Sequence, residues 1–311
     1  MKIVFMGTPE FAVPSLQSLI DAGYDIPLVV TQPDRKGNRN KIIESAVKVC
    51  ATENNIEVSQ PVKIRKDEEF LNKIKDINPD MMVVAAFGQI LPQELLDIPK
   101  FGCLNVHGSL LPALRGASPM QQAILDGLKE TGITIMRMDA GLDTGDMISK
   151  ASCNIEGLTI EELSDKLSKL GAKLLIETVQ KVFDGSAEYV KQDDSKATHT
   201  TLIKKNDGFT DFGEDADVLE RKIRAYHDWP SLYTYFDGLQ MKLYKAEADL
   251  TYESNSDFGK IVTVEKDYFA VSCKKGILKV FEVQLQGKNR MPAGDFMRGR
   301  KLSIGDELGE Q

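Results

Sequence analysis

Short apolar runs alternate with amphipathic segments along the first part of the chain. Three of these runs are brief and aliphatic, which predicts buried parallel strands: residues 2–7, 26–34 and 81–88. Apolar residues recur at helical spacing in three other stretches: residues 8–23, 42–53 and part of 64–77. A strand, a turn, a helix and a second strand in this order begin a doubly wound α/β sheet. The pattern therefore predicts a Rossmann-like, mostly parallel sheet.

The middle of the chain continues this alternation and then loses it. We expect a helix at 118–127, strands at 131–138 and 147–155, and a long amphipathic helix at 159–183. Residues 186–207 are polar and lack periodicity, so we interpret them as a linker. The expected organisation is a catalytic domain at 1–185, this linker, and a second domain at 208–311.

The last hundred residues show the period of two that is typical of strands. After a helix near 217–226, five short alternating segments are separated by turn signals: residues 232–236, 241–248, 259–267, 268–273 and 277–286. Short strands at this spacing predict a small OB-like antiparallel β-barrel, a type of domain that often binds oligonucleotides.

Polar residues interrupt an apolar strand in residues 101–112 (FGCLNVHGSLLP). Asn105 and His107 occupy alternate positions, so on a strand they share one face just before the break at Gly108. A glycine-rich loop, residues 139–146, carries Asp143. These three side chains suit acyl transfer. The imidazole can transfer a proton, the amide can bind an oxygen, and the carboxylate can orient the imidazole.

Two other interpretations of these residues stay open. A single histidine after an apolar strand is often structural, although its polar neighbours need partners if they are buried. Cys103, His107 and Asp143 are also residue types that bind metal ions, but the chain has no pair of cysteines or histidines at zinc-like spacing. We therefore predict no metal. The chain also lacks the glycine-rich motifs of dinucleotide and NTP phosphate sites.

The amino-acid composition is that of a globular protein without a disulfide framework. The 311 residues are 42% hydrophobic and 28% charged, as in ordinary globular proteins, and four scattered cysteines show no disulfide framework. No apolar run reaches the length of a membrane span, and the chain begins directly with a strand. We expect a cytoplasmic protein without membrane association, and nothing in the sequence indicates an obligate dimer, so we expect a monomer.

Basic residues are concentrated in two places although the net charge is −8. Residues 34–41 form a basic loop containing Arg35, Lys36, Arg39 and Lys41. A second cluster, between residues 274 and 301, includes Lys274, Lys275, Lys288, Arg290, Arg298 and Arg300. These clusters are either two solvated surfaces or two contacts with a polyanion such as RNA.

Several motifs spread over most of the chain resemble the methionyl-tRNA formyltransferase family, within the folate-dependent formyltransferase superfamily. These motifs are MGTPEFAVPSL near the start, TQPDR before the basic loop, FGQILP, NVHGSLLP followed by RGASP, and DAGLDTGDM. NVHGSLLP and GLDTGD are common to the superfamily. The TPEF opening, the basic loop and the C-terminal barrel narrow the resemblance to the tRNA enzymes.

The resemblance implies transfer of a formyl group from 10-formyltetrahydrofolate to methionyl-initiator-tRNA, with tetrahydrofolate released. The family's catalytic residues fall on Asn105, His107 and Asp143, and Asp143 would raise the pKa of His107. The implied folate contacts are Ser109, Leu110, Leu111, Pro112, Phe87, Gly88, Ile90, Leu91 and Asp139. The two basic clusters would bind tRNA, with Arg39 the best match to the family's loop arginine.

Two rival functions follow from the same residues. One is a folate-dependent formyltransferase that acts on a sugar-nucleotide amine, since such enzymes also have a second domain. The other is a non-catalytic RNA-binding protein with a degenerate folate domain, which the joint presence of Asn105, His107 and Asp143 argues against.

Overall fold

The computed structural model describes residues 1–36, 42–253 and 257–309. The chain divides into two compact units. The first unit comprises Met1–Pro119, Glu130–Asn154 and Ser164–Thr200, and the second comprises Met120–Lys129, Ile155–Leu163 and Thr201–Gln311. In the described part, no helix is both long enough and apolar enough to cross a membrane.

A seven-stranded sheet forms the centre of the first unit. In chain order its strands are β1 (Lys2–Gly7), β2 (Asp25–Val30), β5 (Val58–Ser59), β6 (Met81–Ala85), β7 (Cys103–His107), β9 (Glu130–Arg137) and β10 (Met147–Asn154). The spatial order is β10-β9-β7-β6-β1-β2-β5. Strands β5, β2, β1, β6 and β7 are parallel, whereas β9 runs antiparallel to both β7 and β10. The predicted Rossmann-like sheet is confirmed.

Two small ribbons accompany this sheet. β3 (Arg35–Lys36) pairs with β4 (Ile42–Ile43) in antiparallel fashion, and β8 (Arg115–Gly116) pairs with β11 (His199–Thr200) in parallel fashion. The predicted helix at 42–53 was therefore wrong at its start. Helix α2 begins at Ala46, because the Ser45 side chain caps it by accepting a hydrogen bond from the Lys48 amide.

Some of the helices begin at residues whose side chains cap them. They are α1 (Val13–Asp21), α2 (Ala46–Glu53), α3 (Glu68–Ile77), α4 (Gln93–Leu96), α5 (Pro119–Leu125), α6 (Ile160–Asp184), α7 (Ala216–Ala225) and α8 (Ala293–Gly299). Asp67 caps α3, and Thr159 with Glu162 forms the capping box before α6. The core of the first unit packs apolar residues of β1, β2 and β6 against α3, where Phe70 and Ile74 are buried.

The second unit is built around an antiparallel sheet. Its strands are β12 (Leu232–Phe236), β13 (Leu239–Asp249), β14 (Ile261–Val264), β15 (Phe269–Ser272), β16 (Ile277–Leu285) and β17 (Met291–Pro292). The order is β12-β13-β16-β15-β14, with β17 paired to β16. The chain end connects the two edges of this sheet, because the Ile261 amide donates to the Asp306 carbonyl and the Gly309 amide donates to the Tyr235 carbonyl. The predicted strands are confirmed.

Residues 186–200 lie in the first unit. Val190 exchanges two backbone hydrogen bonds with Met147, and β11 pairs with β8. The division of the chain into domains at 1–185 and 208–311 stays a prediction, but this stretch of the expected linker has fixed hydrogen-bond partners.

Candidate active site

Asn105 and His107 lie at the end of β7, on the same face of the strand. The parallel strands end at one edge of the sheet, which is where open α/β sheets bind ligands. His107 is only 5% exposed, whereas Asn105 is half-buried. Within the described chain, the side-chain amide of Asn105 has no hydrogen-bond partner. That amide is therefore available to a bound molecule.

The His107 ring is oriented by the backbone. Its Nε2 lies 3.1 Å from the carbonyl oxygen of Leu114, and since a carbonyl only accepts, Nε2 carries the hydrogen and donates it. Its Nδ1 lies 3.7 Å from Oδ2 of Asp143, which is too long for a hydrogen bond. In the neutral ring, Nδ1 is therefore the nitrogen that can accept a proton, and Asp143 is close enough to stabilise the resulting charge.

Burial lowers the pKa of His107 below its ordinary value, and Asp143 and the bond to Leu114 only partly oppose this effect. Asp143 raises this pKa as expected, but the expected net rise above the ordinary value was wrong, because burial lowers the pKa by more. Burial has the larger effect because the ring is almost completely removed from water, whereas the carboxylate lies 3.7 Å away and forms no hydrogen bond with it. The resting imidazole is therefore neutral near pH 7.

This lowered pKa should make the stability of the protein depend on pH. An unfolded histidine takes up a proton at about pH 6.5, whereas buried His107 does so at a lower pH. The stability contributed by neutral His107 is complete above about pH 6.5 and is lost as the pH falls toward the folded pKa, by at most about 1.4 kcal/mol per pH unit. Urea unfolding of the wild type and of His107→Gln across this range measures the effect. The two free-energy curves should converge as the pH falls; parallel curves would contradict a neutral His107.

Asp143 lies in the loop between β9 and β10. Asp139 holds this loop together, because its Oδ1 accepts hydrogen bonds from the Gly141 amide at 3.0 Å and the Thr144 hydroxyl at 2.7 Å. Asp143 has a φ of +55°, a left-handed conformation that is unfavourable for most non-glycine residues. Its Oδ2 accepts a hydrogen bond of 2.8 Å from the Gly116 amide. The carboxylate is thus fixed by its own loop and by β8.

The predicted folate segment, residues 109–112, is fixed through its backbone. The Thr134 hydroxyl accepts a hydrogen bond of 3.0 Å from the Leu111 amide and donates one of 2.7 Å to the Ser109 carbonyl. The Lys150 ammonium donates to the Leu111 carbonyl. β9 and β10 therefore position the segment that follows His107.

The residues predicted to contact folate differ in exposure. Phe87, Leu91, Ser109 and Leu111 are buried, Leu110 and Pro112 are half-buried, and Gly88, Ile90 and Asp139 are exposed. Phe87 and Leu91 belong to the hydrophobic core of the first unit. Their side chains therefore support the loop, and Ile90, Leu110 and Pro112 have side chains that a ligand can reach.

Cys103 lies on β7, two residues before Asn105, but it is not a nucleophile at neutral pH, because burial raises its pKa to about 12. Cys103, His107 and Asp143, considered together as metal ligands from the sequence, do not form a metal-like group. In residues 1–36, 42–253 and 257–309, no cluster of three His, Cys, Asp or Glu side chains has suitable geometry.

The basic residues predicted to bind tRNA fall into four groups. Arg39 and Lys41 lie outside the described residues, and Arg35 and Lys36 form β3. Three arginines form ion pairs on their own unit: Arg290 with Glu282, Arg298 with Asp295 and Arg300 with Asp237. Lys274, Lys275 and Lys288 are exposed and form no ion pair with any described residue. These three lysines have no carboxylate partner in the described chain that a phosphate would have to displace.

Sequence reasoning missed three residues that form hydrogen bonds with the predicted catalytic residues His107 and Asp143. Leu114 accepts from His107, Gly116 donates to Asp143, and the Gln192 side chain donates to the Asp143 carbonyl at 2.7 Å. Gly116 lies within the RGASP motif and Leu114 directly precedes it, so this motif was a usable signal for both. Gln192 lies in a polar stretch without periodicity, so the sequence contained no local signal for it.

Comparisons with known proteins find matches along most of the chain. Residues 1–179 match the family model described as formyl transferase, and residues 202–301 match its C-terminal domain. A methionyl-tRNA formyltransferase from Lachnospira eligens is 45% identical over 316 residues, covering 100% of both chains. One from Clostridioides difficile is 46% identical over 311 residues, covering 99% of this chain and 100% of its own.

Solved structures with the same fold are more distant in sequence. WlaRD, a sugar 3N-formyl transferase crystallised with dTDP and 5-N-formyl-THF, has a TM-score of 0.66 at 22% identity and covers 93% of this chain and 99% of its own. HypX from Aquifex aeolicus in complex with tetrahydrofolic acid has a TM-score of 0.63 at 14% identity, covering 100% of this chain and 51% of its own. These likenesses support the fold.

Proposed function

The chain belongs to the methionyl-tRNA formyltransferase family, and from this premise we propose that it transfers the formyl group of 10-formyltetrahydrofolate to the amino group of methionyl-initiator-tRNA. The observation that carries the proposal is the placement of His107 and Asp143 3.7 Å apart at the end of β7, beside the free amide of Asn105. The products are tetrahydrofolate and N-formylmethionyl-tRNA.

The first catalytic task is to bind the charge that develops on the formyl oxygen when the amine attacks. Asn105 has an amide without a partner in the described chain, and it lies on the same strand face as His107. A donor directed at such an oxygen in a site shielded from water contributes about 3–4 kcal/mol to the transition state. We assign this role to Asn105.

The second task is to remove a proton from the amino group. Neutral His107 can accept it at Nδ1, since Nε2 donates to Leu114. Asp143 then stabilises the imidazolium, and the protonated Nδ1 becomes a second donor for the formyl oxygen. As the amino nitrogen bonds to the formyl carbon, the bond from that carbon to the folate nitrogen breaks. This leaving nitrogen takes up the proton held by His107, which returns His107 to its neutral form. No covalent intermediate with the protein is required.

The remaining assignments concern partners and place of action. Segment 109–112, the 87–91 loop and Asp139 are proposed to surround the folate, and the basic residues of 35–41 and of the second unit are proposed to bind the tRNA. A translation enzyme of this kind acts in the cytoplasm, and we propose that it acts as a monomer.

The rival function, formylation of a sugar-nucleotide amine, has weaker support. The tRNA enzymes from Lachnospira eligens and Clostridioides difficile are 45% and 46% identical to this chain. WlaRD and the N-formyltransferase from Helicobacter canadensis, crystallised with folinic acid and dTDP-3-aminofucose, are 22% and 21% identical. At that level of sequence identity, the similarity supports a shared fold but not a shared substrate.

Single-turnover transfer of labelled formyl from 10-formyltetrahydrofolate tests the proposal. We expect rapid transfer to charged initiator methionyl-tRNA and little or none to charged elongator methionyl-tRNA, which is the matched control. Transfer to neither tRNA, with folate bound and a dTDP-amino sugar formylated, would favour the rival function.

A further inference from the structure

Residues 192–200 contact the loop that contains Asp143 and also the segment that contacts both His107 and Asp143. From this arrangement we infer that Gln192 is a positioning residue for Asp143, held in place by the buried guanidinium of Arg115. The inference rests on the proposed catalytic role of Asp143. All the residues involved belong to the first unit.

The Gln192 amide makes two bonds to the Asp143 loop. Its Nε2 donates to the backbone carbonyl of Asp143 at 2.7 Å and to that of Gly145 at 2.8 Å. Both hydrogens of one amide group are thereby used on the two carbonyls that flank Thr144. Because Asp143 has a φ of +55°, its backbone needs such contacts to remain in the left-handed conformation that directs its carboxylate.

Arg115 fixes the orientation of the Gln192 amide. Its Nε donates to Gln192 Oε1 at 2.9 Å, and a terminal nitrogen donates to Asp194 at 2.8 Å. The Arg115 side chain is 5% exposed. A guanidinium only donates, so the amide oxygen must face it and the NH₂ group must face the loop. The amide therefore cannot flip without leaving hydrogen bonds unmade.

The backbone around Arg115 completes the arrangement. Leu114 accepts from His107, and Gly116 donates to the Asp143 carboxylate. β11 and the residue before it hold this segment, since the hydroxyl groups of Thr198 and Thr200 accept hydrogen bonds from the Leu114 and Ser118 amides. Gly116 has a φ of +115°, and a Cβ there would lie 2.5 Å from the Thr200 carbonyl oxygen. Three consecutive residues thus connect both catalytic side chains to the segment that contains Gln192.

The substitution Gln192→Glu separates positioning from simple structural support. Glutamate retains the length of the side chain and strengthens the contact with Arg115, but it has no hydrogen to donate and directs negative charge at two carbonyls. If Gln192 only supports Arg115, Gln192→Glu should behave like the wild type and Gln192→Ala should be impaired. If it positions Asp143, both variants should be slow.

The experiment measures single-turnover formyl transfer and tRNA affinity for Gln192→Ala, Gln192→Glu, Asp143→Asn and Asp143→Asn/Gln192→Ala. Urea unfolding establishes that each variant is folded. Gln122→Ala is the matched control, since the Gln122 amide donates a hydrogen bond to Asp126, the residue directly after α5. We expect Gln192→Ala and Gln192→Glu to lose about 10- to 100-fold in rate, as displaced catalytic groups do, with tRNA affinity unchanged.

The double variant gives the decisive comparison. If Gln192 acts through Asp143, removing it from Asp143→Asn should slow transfer less than about twofold further, because coupled residues are not additive. Equal fold-losses in both backgrounds, a normal rate for Gln192→Ala, or rescue by Gln192→Glu would overturn the inference. If Asp143→Asn by itself retained the wild-type rate, the catalytic assignment of the proposed function would fail instead.

Discussion

Replacement of Asn105 by alanine should reduce the rate of formyl transfer by about 10²–10³-fold while leaving the fold and tRNA affinity nearly unchanged. Loss of one donor to a developing oxyanion has an effect of this size. Asn105 is the most informative of the three proposed catalytic residues, because its side chain makes no hydrogen bond within the described chain. The variant therefore removes the proposed contact to substrate without removing a hydrogen bond from the protein.

Single-turnover transfer, fluorescence-detected tRNA binding and urea unfolding together test this prediction. Asn72→Ala, which changes an exposed residue of α3 in the same unit, is the matched control. His107→Ala and Asp143→Ala should also abolish turnover, but each leaves a partner unpaired, Leu114 and Gly116 respectively. A normal rate for Asn105→Ala would remove the amide from the mechanism.

Reversal of charge at Lys274 and Lys275 should weaken tRNA binding by about 10-fold or more and leave the chemical step intact at saturating tRNA. Both lysines lie in the turn between β15 and β16, where backbone hydrogen bonds from Lys274 to Phe212 and Glu214 fix the chain. Neither forms an ion pair with a described residue. Each phosphate contact that is lost should lower the slope of log affinity against log salt by about 0.9 if the RNA is helical there.

Salt titrations of tRNA binding measure the effect in Lys274→Glu/Lys275→Glu. The matched control is Lys173→Glu/Lys181→Glu on the exposed side of α6, which changes the net charge by the same amount. An equal loss of affinity in both double variants would show that only total charge matters. Reversal at Arg39 or Lys41 is expected to act on binding in the same way, although these residues lie outside the described part of the chain.

Much of the fold followed from local patterns. Residues 2–7 and 81–88 were predicted as strands because short aliphatic runs suit a sheet covered on both faces. The placement of Asn105 and His107 on one face followed from the period of two along a strand. The start of α2 was misplaced, since apolar residues at 42–43 fit a helical pattern as well as a strand, and Ser45 decides between them by capping Ala46–Glu53.

The contacts around the catalytic residues could not be predicted in the same way. Gln192 and Asp143 are separated by 49 positions, and Gly116 and Asp143 by 27. The pKa of His107 was predicted in the wrong direction, because the sequence suggested a neighbouring carboxylate but not the extent of burial around the ring.

The family, the main strands and helices of both units, and the alternation that places Asn105 beside His107 could be predicted from the sequence. These properties depend on residues close together in the chain or on motifs quoted directly from it. Three other properties became clear from the tertiary structure alone: the protonation of His107, the fixation of Asp143 by Gly116 and Gln192, and the connection of the second sheet's edges by its chain end. Desolvation and hydrogen-bond geometry depend on which distant segments meet, and that is settled by packing of the whole unit.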